Sequence, residues 1–572
     1  MKKILVIVAV VVVVLLLVVI ALPFFINVNQ FKPTLETDLS QALGRKVDIG
    51  NIDLAILSGG VSIDDVSISD DPAFSATPFL KTKKLTVGVA ILPLIFSRKL
   101  EVRSFTISDP EVSLMRSSSG IWNFSSLGAA SAKTGSKGVM PAAAPAAPKS
   151  TMPADAAKSK GDDPPAATNF TVEKLTISNG TITVSKAGEG RKASVYSALN
   201  LEAFDLSYTT QFPFQLTANT PGGGTVNLVG KAGPVSQSDA AETPLNATVV
   251  VQHLDIASTG FVDPSSGLAG SIDFNGDIAS DGHQASTKGT VKADKLKLVP
   301  AGSPATVSVN VDYETDYDLK TEAGVLKRGD VHIGKALAHL TGTFATTGNE
   351  TSVHMKLNGQ GMSVPDLEGV LPAVGVALPS GASLTTGTLD ANLAINGPVN
   401  KLNITGPINL QNGKLAGFSL KSKLGALGPL AGLAGGGGSS DTEIQTLSAD
   451  LKVDPQATHA DNLSLVVPSI GTITGTANVS ASGQLDCKMS AKLAAGNPVG
   501  ALTSGIGALT GGGKSSGGGI PFKIQGTTSN PVFYPDVAGA LGGLAKSGAS
   551  GASDLGSQAH GVIGGLFGKK KK

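Results

Sequence analysis

The chain has 572 residues, enough for several domains, and its 41% hydrophobic content excludes wholesale disorder. Aromatic residues make up only 4% against 71 Gly, a strand-and-turn composition poor in the large side chains of thick enzyme cores. A formal net charge of +1 gives no bulk field for nucleic acid, and the single Cys487 excludes an intrachain disulfide and any cysteine-clustered zinc site.

Residues 4–26, with Ile4 at the start, Leu15 in the middle and Ile26 at the end, carry no charge and are nearly all Val, Leu, Ile, Ala or Phe. As a helix they would span roughly 35 Å, enough to cross a bilayer. Lys2 and Lys3 precede them, so the positive-inside bias keeps the amino terminus cytoplasmic and exports the rest. The run is too long for a cleaved signal peptide and no clear A-x-A site follows. A single-pass anchor over 1–26 is the expectation.

Phe31, Leu35, Leu39 and Leu43 then recur at fourfold spacing, with Pro33 early and Gly44 as a stop, which predicts a short amphipathic helix. Strand patterns complete a first β-rich region over 27–127, which closes with Gly120-Ile-Trp-Asn-Phe124. Trp122, the only tryptophan, reads as a core or cap residue. Residues 128–168 are rich in Ala, Pro, Lys, Ser and Gly, and predict a flexible linker.

A motif then organises the chain. FTVEKLTIS from Phe170 repeats a scheme also seen in VSIDDVSIS from Val61, LKTKKLTV from Leu80, LEVRSFTIS from Leu100, VVVQHLDI from Val249 and VKADKLKL from Val291. Alternation at period two makes a strand with one apolar face; the extra polar residue would flip that face unless a bulge absorbs it. The scheme predicts a long, curved antiparallel sheet with one continuous apolar side. Ile63, Ile68, Val102, Phe105, Ile107, Val172, Leu175 and Ile177 belong to that side, as do Leu389, Leu393, Ile395, Ile404, Ile408 and Leu410. At roughly ten residues per strand and turn, about 35 strands are expected.

The main strand region runs over 169–430, and Asn-Gly pairs at Asn179, Asn275, Asn358, Asn396 and Asn412, with Asp281-Gly282, predict hairpin turns. One helix interrupts it from Ser363 to Gly375, with Pro372 expected to kink or shorten it. The stretch from Leu254 to Asp263 followed by Gly270-Ser-Ile-Asp273 resembles that helix followed by Gly387-Thr-Leu-Asp390, and the two read as degenerate internal repeats. A Gly-rich joint (431–441), further strands (442–536) and an Ala/Gly-rich tail (537–572) complete the chain.

Chemistry is sparse. ALTGGGKS at 508–515 fits a relaxed phosphate loop only if Ala508 replaces the first Gly, and low-complexity sequence stands where a strand and a helix are needed. The seven histidines show no ligand spacing, and no nucleophile elbow appears, so no catalytic residue, cofactor or metal is expected. Lys569, Lys570, Lys571 and Lys572 read either as a grip on anionic headgroups or as a solvated tail.

Phe31-Lys-Pro, Leu43-Gly-Arg45-Lys-Val47 and Gly120-Ile-Trp-Asn-Phe124 together resemble the start of the AsmA family of bacterial envelope proteins. Leu378-Pro-Ser-Gly381, Gly387-Thr-Leu, Gly413-Lys-Leu-Ala-Gly-Phe418 and Ile520-Pro-Phe522 with Gly526 and Pro531 resemble its carboxy-terminal region. The long Ala/Pro insert and the Gly-rich tail depart from the family pattern. The resemblance implies a bacterial inner-membrane anchor, a periplasmic sheet curved into a groove, and kinship with bridge-like lipid transfer proteins serving the outer membrane. The partners it implies are membrane phospholipids. A non-enzymatic scaffold that receives outer-membrane or envelope proteins on its sheet edges is the alternative.

Overall fold

The structure, a computed structural model, describes residues 28–55, 60–90, 102–117, 121–127, 171–186, 192–236, 242–347, 350–427, 439–494 and 519–536. The expected anchor (4–26), the whole of the linker (128–168), the glycines of the joint, the 508–515 pattern, His560 and the tail with Lys569 to Lys572 lie outside them. Among the described residues no helix is long and apolar enough to cross a membrane.

The described strands, 25 in number, join one sheet. That is fewer than the expected 35, because many run to 12 or more residues, up to 16 in Thr171–Lys186 and Ser383–Pro398. From Thr171–Lys186 to Pro531–Pro535 each strand pairs antiparallel with the next in sequence, an uninterrupted meander. Asn403–Ala416 pairs with Thr442–Val453, so the sheet runs on across the Gly-rich joint.

One junction corrects the antiparallel expectation. Thr171–Lys186 lies parallel to Val102–Ser108 and Glu111–Arg116, with Ser104 opposite Lys174 and Arg116 opposite Lys186. The offset never changes, because the two segments carry the same local pattern: FTIS meets LTIS, then Asp109-Pro110 meets Asn179-Gly180. Asp109 (φ 49°) and Asn179 (φ 55°) both take the left-handed conformation, so the irregularities stack and the register survives. The intervening chain is long enough for the crossover that parallel strands require.

Bulges fall where the extra polar residue stands. His253 (φ 53°) shifts the register between Val251 and Leu254, and Lys295 (φ 52°) sits opposite the shift between Ala269 and Ser271. At Asp65 (φ 49°) the opposing Lys83 belongs to a second copy of the motif, and the register on either side is unchanged. The Asn-Gly expectation is corrected: only Asp281-Gly282 links two strands directly, and Asn396-Gly397 lies near a strand end. Asn275 and Asn358 lie within strands, while Asn179 and Asn412 (φ 51°) are bulges. Asn-Gly permits positive φ; long-range pairing decides whether the chain turns there.

Among the described residues three helices decorate the sheet: α1 (Lys32–Leu43), α2 (Val364–Glu368) and α3 (Leu420–Gly425). α1 ends on Gly44 in the left-handed conformation (φ 66°), as its sequence predicts. The stretch after Ser363 divides into α2 and a 3-10 turn, Leu371–Val374, with Pro372 in the second piece.

A candidate apolar groove

Residues directly opposite on neighbouring strands share a face of the sheet. Ile63 faces Leu85, which faces Ile107, then Ile177, Leu201, Leu216 and Leu228. One pleat along, Val226 leads to Val251, Phe274, Val291, Val311, Val331 and Ala338, then to Gly359, Ala391, Ile408 and Ala449. A further pleat along, Leu447 leads to Leu465, Ile473, Ala491 and Ile520. One apolar face therefore runs from the first strands to the last. Opposite faces are polar: Thr86, Thr106, Thr176, Glu202 and Gln215 form one row, and Asp390, Asn409, Ser448, Ser464, Thr474 and Ser490 another.

The structure brings the residues expected on the apolar side onto this face. Ile63 and Ile68 pack against an N-terminal cluster built on Val47, Ile49, Ile52 and Val66. Leu389, Leu393 and Ile408 pack around Ala336, Ala338, Met362 and Ala391. Val172 and Leu410 are buried; Val102, Phe105, Ile107, Leu175, Ile177, Ile395 and Ile404 are half-buried.

Sequence reading missed the rings along the middle of the face. Phe274 tilts against Tyr313 with centroids 5.9 Å apart, and Tyr317 stacks on Phe344 at 6.0 Å. Tyr313 and Tyr317 alternate with Asp312, Glu314, Asp316 and Asp318, a period-two signal that was there to be read. Desolvation raises the pKa of both phenols. Gly324, opposite Tyr317, makes room for the rings, since an added Cβ would overlap the Phe344 ring.

The face is strongly coiled. Ser380 donates from its N–H (2.9 Å) and hydroxyl (3.1 Å) to the carbonyl of Ser529, although the flanking strands stand six ladder steps apart, about 29 Å in a flat sheet. Trp122, bridged to Arg116, lies 6.3 Å from the Phe261 ring, and the strands that carry them are five steps apart.

Short segments cover parts of the face. Val28 and Leu43 pack on the N-terminal cluster, and Leu367 of α2 on the middle one. The loop after Leu245–Asp255 reaches back to Thr171–Lys186 and Ser194–Ser207: the Tyr196 hydroxyl donates to Thr259 O at 2.9 Å, and Lys186 pairs with Asp263 at 3.6 Å. Residues 301–307 and 365–382 frame an open cleft of about 510 Å³, with Val307, Leu371, Val376 and Leu378 on its walls. At the far end Leu420 and Leu424 of α3, with Leu427 just after it, pack on Val467, Ile470, Ile473, Met489 and Phe522, closing the face with protein. Between these covers Ile177, Leu201, Leu216 and Leu228 stay half-buried and, among the described residues, join none of these three buried clusters.

The two segments read as internal repeats carry the same joint. The His253 N–H donates to Asp273 and the Gly361 N–H to Asp390, each at 2.7 Å, with His253 (φ 53°) and Gly361 (φ 59°) both left-handed. Each pins a bulge to the strand after the crossing segment.

A single coiled sheet, apolar on one side, polar on the other and partly roofed by its own short helices, defines an elongated β-groove protein. The AsmA family model matches residues 1–293, just over half of the 572, and the chain belongs to the AsmA family. No curated protein and no solved structure matches it.

Proposed function

We propose that this protein is a non-enzymatic carrier that holds phospholipid by its acyl chains on the apolar face and moves it between the membranes of a bacterial envelope. Residues 4–26 anchor it in the inner membrane, and the sheet stands in the periplasm. The observation that carries the reading is the half-covered row Ile177, Leu201, Leu216 and Leu228 inside an otherwise continuous apolar face. Each Å² of apolar surface still exposed on that row gains about 25 cal/mol when it is covered, so acyl chains are stabilised by lying there. Headgroups remain in water at the rim.

The last described strand speaks against edge-to-edge reception of other β-proteins. Asp536 donates its N–H inward to Pro521 O at 3.2 Å, so by period two positions 531, 533 and 535 point outward. Pro531 and Pro535 remove two of those three donors.

The test is native mass spectrometry with lipid extraction on the full chain purified gently from an envelope-containing host. Retained phospholipid is expected, with loss in Ile177→Asp and Leu216→Asp and retention in Thr176→Asp, which changes the polar face. A folded wild-type protein without lipid sinks the carrier reading.

A further inference from the structure

Helix α1 presents its apolar stripe the wrong way for a core. Leu43 and the preceding Val28 pack on the sheet, yet Phe31, Leu35 and Leu39 are 55%, 39% and 41% exposed. A second exposed apolar group lies by the end of the helix. Ile121, Phe124 and Phe261 are 56%, 41% and 60% exposed, and Trp122 stacks on Phe124 at 5.8 Å with Arg116 5.5 Å from its ring centre. The two groups are tied together: Arg45, next but one after Leu43, donates to Asn123 O at 2.8 Å, between Trp122 and Phe124.

Chain geometry says what covers them. Phe31 follows Ile26 by five residues, so a fully extended link holds the stripe within about 18 Å of the end of the apolar run. An aromatic and aliphatic surface on so short a tether suits the interfacial layer of a bilayer, where Trp settles with its ring in the headgroup region. The charge on α1 is not basic: Lys32 pairs with Glu36 at 3.9 Å, and Asp38 follows. Contact by apolar insertion therefore needs no anionic lipid.

We propose that Phe31, with Leu35 and Leu39 of α1, and the Ile121–Phe124 turn with Phe261 form one membrane-resting surface that seats this end of the sheet in the lipid headgroup layer. This rests on the anchoring of residues 4–26 in the reading above, and is independent of whether the groove carries lipid.

The test uses the full chain in phosphatidylcholine vesicles containing a fraction of phosphatidylcholine brominated on the upper acyl chain. Trp122 is the only tryptophan, so its emission reports this turn alone. A polarity-sensitive dye on Leu39→Cys reports the helix, since Cys487 is buried. Expected are bromine quenching of both reporters and persistence of the Trp122 quenching in the Ile177→Asp, Leu216→Asp double variant. Should that variant misfold, the Leu39 reporter in the otherwise unchanged chain decides. Unquenched reporters in a water-like environment overturn the proposal. So does a dye that is shielded from water yet untouched by brominated lipid, which assigns the stripe to another segment of the chain. Trp122 quenching that vanishes in the groove variant also overturns it, leaving the carrier reading intact. Quenching of a wild-type chain that retains no extractable lipid supports the surface while the carrier reading falls.

Discussion

The Arg45 guanidinium donates to the backbone oxygen of Asn123 at 2.8 Å, joining the end of α1 to a turn 78 residues away. The same guanidinium pairs with Asp70 at 3.4 Å and Asp71 at 3.6 Å. Asn123, fully buried, donates to Asp70 at 2.9 Å and to Ser113 O at 2.8 Å and accepts from Met115 N at 3.0 Å. Ser126 accepts from Arg45 and donates to Asp71, whose carboxyl is held below its ordinary pKa mainly by the Ala73 N–H and Ser126. Two motifs that identified the family are thus halves of one buried polar joint.

Arg45→Met leaves the Asp70 carboxylate buried without its cation. A loss of about 3–5 kcal/mol is expected. Denaturant unfolding with hydrogen exchange over 47–69 and 111–126 measures it, and a second change, Asp70→Asn, restores part of the loss.

Gly324→Val forces a side chain into the space of the Phe344 ring. Overpacking of this kind costs about 1–3 kcal/mol. A lowered thermal midpoint is expected, with a disturbed near-ultraviolet signal from Tyr317, which stacks on Phe344.

The turn that leads into α3 carries a pH-sensitive contact at Asp441. Lys414, 2.9 Å away, together with the Gly417 N–H and Ser440, lowers its pKa from 3.8 to about 2. A depressed carboxyl pKa stabilises the fold above the unfolded value, and the contribution is lost as pH falls through the folded value. Acidification from pH 4 to 2 is expected to release the Gly417 N–H, while α3 stays seated through buried Leu420 and Leu424. Faster exchange of the Gly417 amide over that window, relative to the intrinsic rate, checks it; in Asp441→Asn the step disappears.

Replacing Pro531 and Pro535 together by Val restores two outward N–H donors on the last described strand. Exposed donors template pairing with another chain. Concentration-dependent self-association in sedimentation is expected of the double variant and absent from the wild type.

Much of this architecture is local and was legible in the sequence. The one-sided strands follow from period two, the bulges at His253 and Lys295 from one polar residue too many, and the end of α1 from Gly44. Pro372 marks the divided helix for the same reason: steric and hydrogen-bonding limits act within a few residues. Tertiary structure alone decided the rest. Nothing near Asn275 or Asn358 says that the chain runs straight through them, because cross-strand pairing overrides a turn preference. The parallel match of Ser104 with Lys174, the Arg45 joint and the coil that brings Ser380 to Ser529 all depend on partners distant in sequence. The outward stripe of α1 belongs with them: spacing showed that Phe31, Leu35 and Leu39 share a face, and only the packed sheet showed that this face is left uncovered by the described fold.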